Sequence, residues 1–248
     1  MIRIKYYESI IHLRMLRLRG VAILTSMIFV MFIIGFTNNA YAIDVGFLPF
    51  DVAINPNTNK AYVANGDGTV NVIDTTTNTN IKTILVSPGK ALIGIVVNPA
   101  TNKIYVGNTG DSNVAVIDGA TDTLLTTIAL VSPLDGVTPV GVFTVDVEIN
   151  TNLSTLYVSN VFSSTVVVID ISPDFPVDIN PISAENQIID VISGFDGAAR
   201  FTFDPNTNLM YMTNFLSNTV SVLDGFQNSF AGGTPVVATI TIAMVQME

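Results

Sequence analysis

The sequence has no cysteine, no tryptophan and a single histidine, and only 12% of its 248 positions are charged. The missing cysteine excludes disulfides, thiolate nucleophiles, iron–sulfur ligation, thiolate zinc sites and lipids carried on cysteine. Basic residues are scarce as well: 10 Lys and Arg stand against 20 Asp and Glu, a net charge of −10. A nucleic-acid binder needs a basic face to displace counterions, so that class is excluded. Apolar residues are abundant, and at 49% of the chain they exclude a disordered protein.

The few basic residues are unevenly placed. Arg3, Lys5, Arg14, Arg17 and Arg19 precede an uncharged apolar run from Val21 to Phe36, and Ala40-Tyr41-Ala42 follows it. A basic start, a 16-residue apolar run and a small-x-small end are the three parts of a secretory signal, which predicts cleavage after Ala42. The run falls short of the roughly 20 residues of a comfortable membrane span, which favours cleavage over a retained anchor. Met15 opens a more compact signal, Met-Leu-Arg-Leu-Arg-Gly, and is the expected start of translation. Residues 1–42 are thus expected to be a signal peptide and residues 43–248 the exported domain. That domain has 206 residues, 19 acids and 5 bases, so its charge is −14, and His12 is lost with the signal. Without histidine, histidine-dependent triads and His-ligated haem, copper or zinc are excluded, while hard cations bound by oxygen, Ca²⁺ above all, stay open.

The exported part repeats one motif four times. Tyr62-Val63-Ala64-Asn65, Tyr105-Val106-Gly107-Asn108, Tyr157-Val158-Ser159-Asn160 and Tyr211-Met212-Thr213-Asn214 each follow a turn signal that begins at Asn55, Asn98, Asn150 or Asp204. Each tetrad is followed by an alternating run ending in Asp74, Asp118, Asp170 or Asp224, then by a last apolar stretch: Ile81 to Val86, Leu124 to Leu130, Ile188 to Ile192 and Val236 to Ile242. The Tyr-to-Tyr spacings are 43, 52 and 54 residues. Four short β-branched runs per unit, parted by Asn, Asp, Gly, Thr and Pro clusters, read as four-stranded antiparallel meanders. No window carries an apolar stripe at helical spacing. The expected fold is therefore all-β, a β-propeller of four four-stranded antiparallel blades, with a parallel β-helix as the weaker rival. Blades packed between neighbours bury both faces, which explains the high apolar and low charge content.

The stretch from Gly94 to Thr121, with Asn98-Pro99, Tyr105-Val106-Gly107-Asn108 and Val116-Ile117-Asp118, resembles the YVTN-type β-propeller repeat. The resemblance runs from about Gly46 onward. Repeat three departs from the pattern at Asn150-Thr151 and repeat four at Met212. It implies an exported or surface-layer-associated propeller in which binding and scaffold roles are usual, and it implies no ligand. Complete propellers of this type commonly have more than four blades. Three readings follow: a ring closed as a monomer, slightly favoured; an open arc that pairs with a second copy as a homodimer; or the product of a truncated gene. Ile43-Asp44-Val45-Gly46 looks like the end of a preceding outer strand.

The Tyr-Val-x-Asn tetrads and the strand-ending aspartates read most simply as packing and turn capping. The innermost strands carry more chemistry. Asp51, Gly94, Asp146 and Arg200 occupy one repeat position, and Ala53, Val96, Glu148 and Thr202 the position two further on, on the same face. Asp51, Asp146, Glu148 and Arg200, the exported part's lone arginine, are thus expected to meet at the channel mouth, as an interblade ion pair or as a ligand-binding site. The loops at the same end contribute Asp67, Asp111, Asp135 and Asp196, weak candidates for Ca²⁺, along with Lys90. Two insertions, Val131 to Gly141 and Ser172 to Gln187, break the period, and Asn152-Leu153-Ser154 is a glycosylation sequon. The expected function is a secreted or cell-surface binding and scaffold module whose partner is a surface protein or a polysaccharide. The alternative is a calcium-assisted hydrolase or lactonase-like enzyme with a carboxylate site at the channel mouth.

Overall fold

The computed structural model describes residues 42–172, 186–225 and 235–241. The expected signal segment and start, most of the second insertion and the tail past Thr241 lie outside these residues. By its internal contacts the chain divides into Met1–Ala42 and Ile43–Glu248, and only the second unit is described below. Among the described residues there is no helix; all regular structure is β.

Sheet 1 holds β1 (Pro49–Asn55), β2 (Lys60–Asn65), β3 (Thr69–Asp74) and β4 (Thr79–Leu85). Sheet 2 holds β5 (Leu92–Asn98), β6 (Lys103–Asn108), β7 (Asn113–Asp118) and β8 (Thr123–Ala129). Sheet 3 holds β9 (Thr144–Asn150), β10 (Thr155–Asn160), β11 (Thr165–Asp170) and β12 (Gln187–Ser193). Sheet 4 holds β13 (Ala198–Asp204), β14 (Leu209–Asn214), β15 (Thr219–Asp224) and β16 (Val236–Thr241). Each sheet is an antiparallel meander in chain order, the arrangement expected from the four repeats.

The turns explain the sequence signals. In the first turn of each sheet the opening Asn or Asp side chain accepts the N–H two residues on, as Asn55 does from Asn57 and Asn150 from Asn152. The turn ends on a left-handed residue, Asn59, Asn102, Ser154 or Asn208, a conformation that asparagine tolerates better than most residues. The tetrad's Asn closes the next turn: the Asn65 amide donates to the Thr69 carbonyl at 3.0 Å, and the Asn214 amide to the Thr219 hydroxyl at 2.8 Å. Asp74, Asp118 and Asp170 cap the turns that follow them.

Pairing register divides each sheet into two faces. Ala53, Tyr62 and Val72 share one row of sheet 1, and Val52 and Val63 lie on the opposite face. The Tyr face of one sheet packs on the Val face of the next. Tyr62, Val70, Val72 and Ile84 meet Ile95, Val97, Ile104 and Ile117; Tyr105, Val114 and Val116 meet Val147, Ile149, Leu156 and Ile169; Tyr157, Val166 and Val168 meet Met210, Met212 and Leu223. Polar pairs set the register of these joints. The buried Tyr62 hydroxyl donates to Asp122 at 3.0 Å while Lys60 grips the same carboxylate at 2.7 Å. The Asn55 amide reaches Asn102 at 2.8 Å, and Asn150 reaches Asn208 at 3.1 Å. Burial, together with Asp122, pushes the Tyr62 phenol well above its ordinary value. Tyr62→Phe, which deletes one buried hydrogen bond but leaves Lys60 on Asp122, is expected to lower stability by about 1 kcal/mol, read by urea unfolding.

The expected closed ring is not formed. Strand β1 packs on β5, β5 on β9 and β9 on β13, but among the described residues sheets 4 and 1 form no packed joint of this kind. The open face is visible in the exposure of two repeat positions: Val52 and Ile54 are 56% and 61% exposed, whereas their counterparts Ile95 and Val97 are 5% and 8%. A local reason lies in Ile43 and Val45. Rather than ending an outer strand, they lie on Ala61, Val63 and Ile73, where part of a fourth joint would form. The Gly46 N–H donates to Asn71 at 2.7 Å and the Asn80 amide to the Asp44 carbonyl at 3.1 Å, which pins that segment.

Candidate functional site

The first strand of each sheet lines the inner side of the stack, and each has a register irregularity at its start: Pro49/Asp51, Thr144/Asp146, Leu92/Ile95 and Ala198/Phe201. A bulge re-aims the side chain beside it, so four equivalent positions turn toward a common axis. Asp51, Asp146 and Arg200 come together there. The Arg200 guanidinium lies 3.3 Å from Asp146 and 4.0 Å from Asp51. The two aspartates also make the same bond to the next sheet: Asp51 accepts from the Ile95 N–H at 3.1 Å, and Asp146 from the Phe201 N–H at 2.8 Å. Gly94 holds the second-repeat position because no side chain fits there; a Cβ on it would lie 2.7 Å from the Asp146 Cα.

Glu148 shares this face but touches no member of the triangle through a hydrogen bond; its carboxylate accepts the Ile149 N–H at 3.0 Å. Burial raises its pKa, the nearby Asp146 and Asp51 charges raise it further, and only the Ile149 N–H opposes them. Asp146 is the most perturbed carboxyl of the group. Burial pushes it up to about 6, against the Phe201 N–H and the Arg200 charge, and the Asp51 charge adds to the rise.

This shift has a consequence for stability. The folded Asp146 holds its proton more tightly than the unfolded one, so its ionisation opposes folding, and stability falls as pH rises from about 4 through about 6. Arg200→Met removes the charge that limits the rise. The variant is expected to lose about 1–2 kcal/mol near pH 7.5, a figure discounted for the half-exposed guanidinium, and the loss should shrink toward zero by about pH 4. Thermal unfolding at the two pH values checks both the sign and the window.

The loop aspartates are placed at the expected end but kept apart. Asp67 and Asp111 sit in the β2–β3 and β6–β7 turns, Asp135 and Asp196 in the β8–β9 and β12–β13 linkers. Asp67 accepts from the Phe47 and Thr69 N–H groups, and these with the Thr69 hydroxyl outweigh its slight burial and hold it below its ordinary pKa. The Ser87 hydroxyl, helped by Asn108 and Lys90, holds Asp111 low; Lys90 is 3.4 Å away. The Thr138 hydroxyl and the Val137 and Thr138 N–H groups bring Asp135 down to about 2. Among the described residues no three His, Cys, Asp or Glu side chains gather as a metal-ligating group. In the sequon, Asn152 spends its amide on the Pro205 carbonyl at 3.0 Å and on Asn208 at 3.3 Å, so a glycan there would break an intersheet link.

A cleft of about 480 Å³ lies between β8, the Val131–Gly141 loop and the start of β12, and none of the axial residues lines it. The loop itself is stapled by a Val131–Pro139 bridge and a Ser132 N–H to Thr138 carbonyl bond of 2.7 Å. Sequence reasoning missed the Tyr62–Asp122–Lys60 and Asn55–Asn102 links. Their signal was present in the equal register of Asn102 and Asn208 after the turn, but a partner one repeat away leaves no local pattern. Comparison with known proteins returns no match, either to a protein-family model or to a curated protein sequence.

Proposed function

We propose that the protein is an exported β-propeller of the YVTN repeat type that works as a binding and scaffold module at the cell surface, without chemistry of its own. One observation carries this reading: the axial carboxylates are committed to the stack. Asp51 and Asp146 each hold the backbone of the next sheet, and Arg200 lies between them. A catalytic carboxylate needs a free face toward substrate, and an acceptor already bonded to backbone and guanidinium offers little of it. Asp51 and Asp146 around one guanidinium, with Glu148 on the same face, leave the axis net negative, which suits a cationic group on a ligand better than an anionic one. The partner is a surface protein or a polysaccharide.

The test is retention of the purified protein on cell-surface preparations treated with protease or with periodate. Loss on protease points to a protein partner and loss on periodate to a polysaccharide; no retention on the untreated surface overturns the reading. The hydrolase alternative draws on the raised Asp146 pKa, since a carboxyl near 6 has the affinity of a general base. Ester or lactone hydrolysis that needs Ca²⁺ and disappears in Asp146→Asn would establish it.

A further inference from the structure

The two ends of the stack differ in chemistry. At one end lie the β1–β2 and β3–β4 turns and their counterparts, built from Asn, Asp, Thr and Pro. At the other, each strand-two-to-three turn is clamped to the linker before the inner strand. The Gly66 N–H donates to the Phe47 and Leu48 carbonyls at 2.9 Å, Phe162 to Val142 at 3.2 Å, and Phe215 to Gly197 at 2.8 Å. In sheets 1, 3 and 4 this clamp presents a phenylalanine to solvent: Phe47 is 70% exposed, Phe162 71% and Phe215 72%. Leu48 and Leu216 stand exposed beside them, and Phe143 stacks on Phe162 at 4.4 Å. In sheet 2 the same place holds Thr109 and Gly110 clamped to Ala91, next to Lys90.

Apart from the Phe143–Phe162 stack these exposed aromatics pack on no sheet face, and large aromatic groups gathered at one end of the stack mark an interaction surface. The charge at this end narrows the partner. Asp67, Asp111, Asp135 and Asp196 ring the same loops, the first three held below their ordinary pKa and hence ionised across the physiological range, against the single Lys90. A second copy of this acidic chain, or an anionic lipid surface, is repelled by such a ring. We infer that the linker end of the stack is a docking surface for a protein segment that alternates basic and apolar side chains, with Phe47, Phe162 and Phe215 as the apolar contacts and the loop aspartates as the charge contacts. This deepens the binding-module reading and rests on it.

The experiment is fluorescence anisotropy of a labelled peptide of alternating Lys and Leu, a control with Glu in place of Lys, and vesicles of phosphatidylcholine with and without phosphatidylglycerol. The Lys–Leu peptide is expected to bind and the Glu–Leu peptide not to, with affinity falling several-fold between about 0.05 and 0.5 M salt. Phe47→Ser, Phe162→Ser and Phe215→Ser combined should weaken binding by roughly tenfold or more, while the thermal midpoint falls only by the small amount that loss of the Phe143–Phe162 stack brings. Phe162→Ser and Phe215→Ser are also measured singly, so that a misfolded triple variant does not decide the matter. Equal binding of both peptides, no binding of either, tighter binding to vesicles, or indifference to the Phe variants would overturn the inference. If the triple variant is still retained on cell surfaces while the peptide fails to bind, this surface is wrong and the binding-module reading stands. If the unmodified protein is not retained at all, that reading falls too.

Discussion

Gly68→Ala is expected to destabilise the protein by about 3 kcal/mol or more and to lower its thermal midpoint by roughly 6–10 °C. Gly68 ends the β2–β3 turn at φ +87°, and an added Cβ would stand 1.7 Å from the Ser87 carbonyl oxygen. That contact is with backbone, so no side-chain rotation relieves it. The Gly68 carbonyl accepts the Val86 and Ser87 N–H groups at 3.0 and 3.1 Å, and the Asp67 carbonyl accepts from Gly89 at 2.9 Å, so a shift in the turn would also tear the linker into sheet 2. The other three repeats place Ser112, Ser164 and Asn218 here, at φ of 52°, 53° and 55°. Gly68→Asn, which copies the fourth repeat, is therefore expected to fail almost as badly as alanine. Urea unfolding of both variants checks this, and a change below about 1 kcal/mol for either would contradict the close packing of turn on linker.

Gly94→Ala is the second large effect, about 1–3 kcal/mol, and it acts on the axis itself. The new methyl would press on the Asp146 Cα at 2.7 Å and on the Val147 N at 3.0 Å, both backbone atoms. Strands β5 and β9 would have to part, and water admitted beside Asp146 would lower a pKa that burial has raised. The variant should therefore lose stability and, at the same time, lose part of the fall in stability between about pH 4 and pH 6 that the buried carboxyl produces. A variant as stable as its parent would mean that the inner strands are farther apart than described.

The repeat register was legible because strand and turn chemistry are local. Asn55-Pro56, Tyr62-Val63 and Val72-Ile73-Asp74 each dictate the conformation of their own few residues, and four copies remove the ambiguity of one. The convergence of Asp51, Asp146 and Arg200 was legible for the same reason, since equivalent repeat positions on stacked sheets face one axis. Four things were not. The bulges that aim these residues depend on how β1 and β2 pair, which alternation alone does not reveal. Gly94 was read as one member of a repeat position, whereas its meaning lies in the backbone of Asp146, 52 residues away. Closure into a ring depends on whether a fourth joint forms, a long-range contact that alternation does not encode, and Ile43 and Val45 lie on the face of sheet 1 that such a joint would use. The exposed Phe47 lies in the segment before β1 and Phe162 and Phe215 in turns of differing sequence, so no motif linked them before the clamps placed them at one end.

The claim on which the account depends most is that a buried carboxylate at the axis, Asp146, joins sheets 3 and 4 under the control of Arg200. A carbon-detected NMR titration of the aspartate carboxyl groups tests it directly, in the parent protein and in Arg200→Met. The account predicts one aspartate with a midpoint of about 6, assigned to Asp146, that moves higher when the guanidinium is removed. If every aspartate titrates in the ordinary range, or Asp146 does not respond to the loss of Arg200, the axial cluster described here is not present in the folded protein.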